Sequence, residues 1–292
     1  MGFILSSVFF LVLLCSLLWA GFDASRKKLT GYFDVLPLTF WLVFYISPLY
    51  ILWMYLSWNG YPISSEFWLL SALLLVSNTA SNILFISSLS LGEISRVIPI
   101  LSMTPVFSLI IAVLFFGESF ASYEIAPILL VVSGLIVTNL DLRRGGEDYP
   151  VKAALFMLAV SFLWSLNINI DKRATILSSA SFHASVQVIG VGLSLFLLLK
   201  IRRTPFQFSK QKDHIKLLLL SVILFSSALA VQYSLLPSVN VGDFDTLKRA
   251  IAILASLVYG KIFFGERITK QKILGSSLTV GGIIWLSLSL VN

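Results

Sequence analysis

Runs of about twenty apolar residues, separated by short polar clusters, follow one another along the whole chain. Their limits fall at 3–22, 34–57, 66–90, 94–116, 122–141, 151–170, 178–200, 215–236, 242–264 and 270–290. A helix needs about 20 mostly apolar residues to cross a bilayer. Helices and closed barrels are the only spanning structures that satisfy their own backbone polar groups there. The pattern therefore predicts an all-α polytopic membrane protein with ten transmembrane helices. The longest polar stretch, from Lys200 to Lys216, leaves no room for a soluble domain.

The pattern also repeats, with a period of about 147 residues. Phe115-Phe116-Gly117-Glu118 recurs as Phe263-Phe264-Gly265-Glu266. Ser16-Leu17-Leu18-Trp19 pairs with Ser161-Phe162-Leu163-Trp164, which sets Lys27-Lys28 on Lys172-Arg173. Asn82 aligns with Gln232, and Gly92-Glu93 with Gly242-Asp243. The chain therefore divides into two five-helix units, 1–146 and 147–292. Five is odd, so the second unit enters the membrane from the opposite side, an inverted repeat of the kind that builds transporters around a central site.

Composition sharpens this picture. Of 292 residues 58% are hydrophobic and 12% charged, with mean hydropathy +0.94. The net charge of +7 sits in a few loops, a membrane-topology signal rather than a nucleic-acid footprint. Seventeen of the 21 Lys and Arg fall in loops on one side, and only Lys172 and Arg173 on the other. The positive-inside rule then puts the basic loops in the cytoplasm and both termini outside. Cys15 is the only cysteine, and His183 and His214 lie far apart, so no metal or other cofactor is implied. No Lys or Arg precedes the first segment, so it reads as a retained helix rather than a cleaved leader. No G-x-x-x-x-G-K-[ST] loop is present, which argues against direct ATP drive.

Lys248 and Arg249 remain, adjacent within the ninth apolar segment. A cation in hydrocarbon costs about 2.5–3.5 kcal/mol on insertion scales. Such residues mark a substrate or ion pathway by default, although Lys248 is near enough to the segment start to snorkel outward. Asp243 and Asp245 precede them, and Asp245 is three and four residues away, the spacing of a helical ion pair. Arg96 follows Glu93 at the same spacing and reads as a structural pair. Amides supply the other candidates: Asn78 and Asn82 on one helical face, Gln232 beside Tyr233, Asn167 with Asn169, and Gln187 four residues after His183. Each amide can simply bond a neighbouring helix. Together they suggest a polar lining, giving Lys248, Arg249, Asn82, Gln232, Tyr233, Asn78, Asn167, His183 and Gln187 as candidate substrate-binding residues. Trp19 and Trp164 read first as interfacial anchors, with a role lining the cavity as the other reading. Glu118 and Glu266 read as caps of the helices that follow them. Gly134 with Thr138, and Ser277 with Gly281, have the small-residue spacing of close helix contacts, with a dimer contact as the other reading.

In its five-plus-five layout, its Ser-x-Leu-Trp starts and its Phe-Phe-Gly-Glu helix ends, the chain resembles the EamA-type members of the drug/metabolite transporter superfamily over essentially its whole length. Pro105, within LSMTPVFSLIIAVLFFGE, looks like that family's fourth helix. Thr246-Leu247-Lys248-Arg249 also resembles the ninth helix of the plastid triose-phosphate translocators, whose Lys-Arg pair binds phosphate. That branch has a lysine where this chain has Leu101. The resemblance implies a secondary transporter in the plasma membrane, in contact with lipids and acting on a small metabolite. It would be a monomer or homodimer, with no enzymatic activity. With the Lys-Arg pair it suggests an anionic substrate. A flippase for an anionic lipid headgroup and a membrane-embedded lipid-modifying enzyme stand as alternatives.

Overall fold

The computed structural model describes residues 2–58, 60, 63–104, 106, 107, 110, 122–139, 151–207, 211–239 and 241–291. Among these residues there are ten α-helices and no strands. The helices are α1 (Gly2–Leu29), α2 (Val35–Ser57), α3 (Ser65–Leu91), α4 (Ile94–Val97), α5 (Ser122–Asn139), α6 (Val151–Leu177), α7 (Ala180–Ile201), α8 (Lys212–Leu235), α9 (Val241–Phe264) and α10 (Lys270–Val291). Six of them, α1, α2, α3, α6, α7 and α8, are long and apolar enough to span a bilayer. The ninth carries five charged residues, Asp243, Asp245, Lys248, Arg249 and Lys261.

Two expected boundaries move. α1 and α6 run on to Leu29 and Leu177, about two turns beyond the apolar runs. Their polar ends, Asp23 to Arg26 and Asp171, are buried rather than in loops. In the fourth segment α4 stops at Val97 and gives way to a 3₁₀ turn, Ile98–Ser102. Pro99 accounts for this, because it has no N–H and its ring crowds the preceding turn. Pro105 and the first Phe-Phe-Gly-Glu motif lie outside the described residues.

Helix contacts follow a pseudo-two-fold pattern. α1 packs on α8 as α6 packs on α3, α1 meets α9 as α6 meets α4 and its 3₁₀ turn, and α2–α7 and α5–α10 pair across the axis. The α5–α10 pair is the tightest. A Cβ on Gly134 would sit 2.4 Å from Thr279 Oγ1, and one on Gly275 would sit 2.3 Å from Thr138 Oγ1. The packing face of α10 is thus Gly275, Thr279 and Gly282. Gly281 faces open space, so the expected Ser277–Gly281 contact is displaced by a fraction of a turn.

At the end of the bundle that bears the basic loops, polar groups from both halves interlock. Lys27 Nζ donates to the carbonyls of Leu89 and Gly92, at 2.5 and 2.6 Å. Lys272 Nζ reaches Glu93 Oε2 and Ser95 Oγ, both at 2.8 Å, and Arg96 Nε lies 2.6 Å from Glu93. Glu266 accepts from the backbone N–H of Ile94 (2.8 Å) and Ser95 (3.2 Å) and from the Ser95 hydroxyl. It therefore caps α4 of the other half, not α10 that follows it. A helix N-terminus attracts a carboxylate wherever it comes from. The outer faces carry large apolar side chains, among them Tyr55, Leu56 and Val76, as a lipid-facing surface should.

Two outcomes follow. Replacing Gly134 by Val should force α5 and α10 apart and destabilise the protein by about 1–3 kcal/mol. Gly281→Ala should be neutral or stabilising; thermal unfolding in detergent reads both. For orientation, in a Cys15→Ala background a cysteine at Lys212 should stay unlabelled by an impermeant thiol reagent in intact cells, while one at Ser64 labels. The reverse pattern would place both termini in the cytoplasm.

Candidate functional site

A cavity of about 120 Å³ lies between the two halves, bordered by α1, α2, α3, α6, α7, α8 and α9. Its charged corner belongs to α9. Asp245, Lys248 and Arg249 fall on one face because they are three and four residues apart. Lys248 Nζ is 3.4 Å from Asp245 Oδ1 and donates to Gln232 Oε1 at 3.4 Å. Arg249 Nη2 is 3.2 Å from Asp245 Oδ1, and its Nε donates to Oδ2 at 3.4 Å. The Arg249 guanidinium lies 5.3 Å from the Trp164 ring centre, a cation–π distance. Two cations thus share one carboxylate. Snorkelling does not occur: the side chains of Lys248 and Arg249 are only 12% and 5% exposed.

A second buried pair comes from α1. Arg26 is bonded to Asp23 and sandwiched by Phe22 at 4.2 Å and Phe85 at 3.9 Å. Phe22 stacks on Phe225, their centres 4.5 Å apart. Asp23, Arg26 and Phe225 border the cavity on this side.

The amides form a chain across three helices. Ser77 donates to Asn167 Oδ1 at 2.6 Å, Asn167 Nδ2 to Asn78 Oδ1 at 2.8 Å, and Asn78 Nδ2 to Gln187 Oε1 at 3.2 Å. Gln187 then donates to the Ser71 carbonyl at 3.1 Å. Asn82 bonds its own helix at the Asn78 carbonyl, 2.8 Å away. Beyond the amides sits Asp171, whose Oδ1 meets His183 Nε2 at 2.9 Å and the Tyr233 hydroxyl at 3.5 Å.

Of the nine residues singled out from the sequence, eight border this cavity: Lys248, Arg249, Asn82, Gln232, Tyr233, Asn78, Asn167 and Gln187. His183 does not. Asp171 stands between it and the cavity, and its ring is held between Phe67 and Tyr233 with no exposure. Asn169 is exposed and bonds back to the Ser165 carbonyl of its own helix. Leu101 is buried in the 3₁₀ turn away from the cavity, so the lysine position of the triose-phosphate branch has no counterpart in its wall. The side chain of Asp243 lies outside the described residues.

Sequence reading missed Asp23, Arg26 and Asp171, and ranked interfacial anchoring above cavity lining for Trp19 and Trp164; all five border the cavity. One error lies behind all five. Ending α1 and α6 at the first polar residues puts the tryptophans at helix ends and the charges in loops. The signal was present, however: Asp23 and Arg26 have the same three-residue spacing as Glu93 and Arg96.

A model of the "EamA-like transporter family" matches residues 6–140 and 151–288, nearly the whole chain in two copies. No curated protein matches it. A solved structure described as "Crystal structure of protein" superposes with a TM-score of 0.69 over 97% of both chains, at 17% identity, which shows a common fold.

Asn78 is the hinge of the amide chain. Asn78→Leu should leave Asn167 and Gln187 each short of a partner, at about 1–3 kcal/mol for each unsatisfied group. The check is thermal unfolding, in which Asn78→Gln should lose less than Asn78→Leu.

Proposed function

This chain belongs to the EamA-like transporter family, and from that premise we propose that it is a secondary transporter for a small metabolite with an anionic group, a carboxylate or phosphate. Members of the family are transporters of small solutes rather than enzymes. One observation carries the anionic reading: two cations, Lys248 and Arg249, stand in the cavity wall with a single carboxylate, Asp245, between them. That corner holds an unspent positive charge in a water-poor site, where an anion gains more than it would in bulk water. Arg249 offers a planar fork for two oxygens, and Lys248 a mobile point charge. The amides of Asn78, Asn82, Asn167, Gln187 and Gln232 supply donors and acceptors for the rest of the molecule.

Transport follows by alternating access between the two repeats, 1–146 and 147–292, about the central cavity. The groups that interlock across the halves at the basic end, Lys272, Glu93, Ser95 and Glu266, close the cavity toward that side and separate when it opens there. Their ion pairs and caps join one half to the other, so rocking of the halves breaks them as a set. The plasma membrane is the proposed location.

Uptake by reconstituted vesicles from a mixed metabolite pool, read by mass spectrometry, tests the substrate class. Anionic metabolites should accumulate. Arg249→Lys, which keeps the charge and removes the fork, and Lys248→Gln should each reduce that uptake about tenfold or more, the worth of a charged hydrogen bond. Accumulation of a cation, or wild-type rates in both folded variants, would overturn the anionic site. A lipid-translocation assay on the same vesicles separates a metabolite carrier from a flippase.

A further inference from the structure

Resting on that anionic reading, we propose that the site takes a singly charged anion and rejects a dianion, so that its ligand is a carboxylate rather than a phosphate monoester.

Among the described residues, five charged groups act on one another in this part of the protein. Lys248 and Arg249 share Asp245. Arg26 is bonded to Asp23. Asp23 also interacts electrostatically with both Arg249 and Lys248. The carboxylate of α1 is thus part of the field around the α9 cations. Three cations and two carboxylates leave a surplus of one positive charge. One negative charge on a ligand balances it. A second would stand buried without a partner, which is strongly disfavoured.

The donors at this corner suit the same ligand. The side edge of Arg249, Nε with Nη2, faces the two Asp245 oxygens at 3.4 and 3.2 Å. A guanidinium has one further forked edge, which fits the two oxygens of a single carboxylate. Lys248 Nζ is spread between Asp245 and Gln232, both at 3.4 Å, which leaves one of its three hydrogens for a ligand. Arg26 is committed elsewhere: it holds Asp23 and lies between the rings of Phe22 and Phe85. The fourth segment brings no further cation to the wall, because Leu101 is buried away from the cavity and Arg96 pairs with Glu93 at the bundle end.

The other ionisable groups nearby do not raise the positive sum. Asp171 borders the cavity from α6, its Oδ1 held by His183 and Tyr233. It adds repulsion against any second negative charge. The Cys15 thiol lies within electrostatic reach of Lys248, but it is buried and behaves as a small apolar group. Tyr50 and Tyr233 are phenols and neutral near pH 7.

Thermal unfolding of the detergent-solubilised protein reads the site without a known substrate, because a ligand of the folded state raises Tm. Three small probes suit a cavity of about 120 Å³: acetate, methanesulfonate and methyl phosphate, compared at constant ionic strength. At pH 8 the first two carry one charge and methyl phosphate two, since the second pKa of a phosphate ester is about 6. There the monoanions should stabilise, and methyl phosphate should bind at least about tenfold more weakly. At pH 5 methyl phosphate has regained a proton and should match methanesulfonate, which keeps one charge throughout and so controls for titration of the protein. Lys248→Gln should weaken each probe about tenfold, which places the effect at this corner. Asp23→Asn adds one unit of positive charge without altering α9 and should remove the gap between methyl phosphate and methanesulfonate at pH 8. If that variant fails to fold, Asp245→Asn makes the same change of charge. Equal or tighter binding of methyl phosphate by the wild-type protein at pH 8 would overturn the preference and leave the anionic site in place. Where the probes bind too weakly to read, the mixed metabolite pool at pH 8 decides: uptake of carboxylates without phosphate monoesters upholds the preference, and uptake of phosphate monoesters overturns it. A pool that yields no anion at all removes the anionic site on which it rests.

Discussion

A polar group inside a bilayer has to find its partner within the protein, and the arrangement of this molecule follows from that constraint. Hydroxyls settle it locally: Ser16, Thr39 and Ser47 each donate to the carbonyl four residues earlier on their own helix. Several amides and charges draw on more than one helix. Asn78, Asn167 and Gln187 meet from three different helices, and Arg26 needs Asp23 together with two aromatic faces. The polar interior and the apolar exterior are thus two results of one rule. The cavity lies where the unmatched polar groups converge.

The scaffold is nearly two-fold, and its chemistry is not. In the repeat register Arg26 of the first half corresponds to Asp171 of the second, so one pair of equivalent positions holds opposite charges. Lys248 and Arg249 stand in the cavity wall on α9, while the equivalent region of α4 pairs Arg96 with Glu93 at the bundle end. Symmetry of the backbone gives two halves able to rock about a shared axis. Asymmetry of the side chains gives a cavity with a positive corner on one wall and a carboxylate on another. The groups that interlock at the basic end draw on both halves, which ties closure of that end to the relative position of the repeats.

What the sequence by itself determined is the part that depends on local averages and regular spacing. Ten spans, two five-helix units and the unusual placement of Lys248 and Arg249 can be read from apolar runs, from three aligned motifs and from the cost of charge in hydrocarbon. The amides were legible for the same reason, because such residues are too costly to face lipid. Tertiary structure decided what depends on a partner distant in the chain. Lys27 is held by carbonyls 62 and 65 residues away, and Glu266 caps a helix that begins 172 residues earlier. Whether Asp23, Arg26 and Asp171 end a helix or continue it depends on whether other helices bring neutralising or stacking groups to them. His183 shows the opposite case: a residue with the right chemistry and spacing is screened from the cavity by Asp171. Hydropathy is summed along one helix, whereas the burial of a charge is set by the helices around it, so only the folded structure could separate the cavity wall from its support.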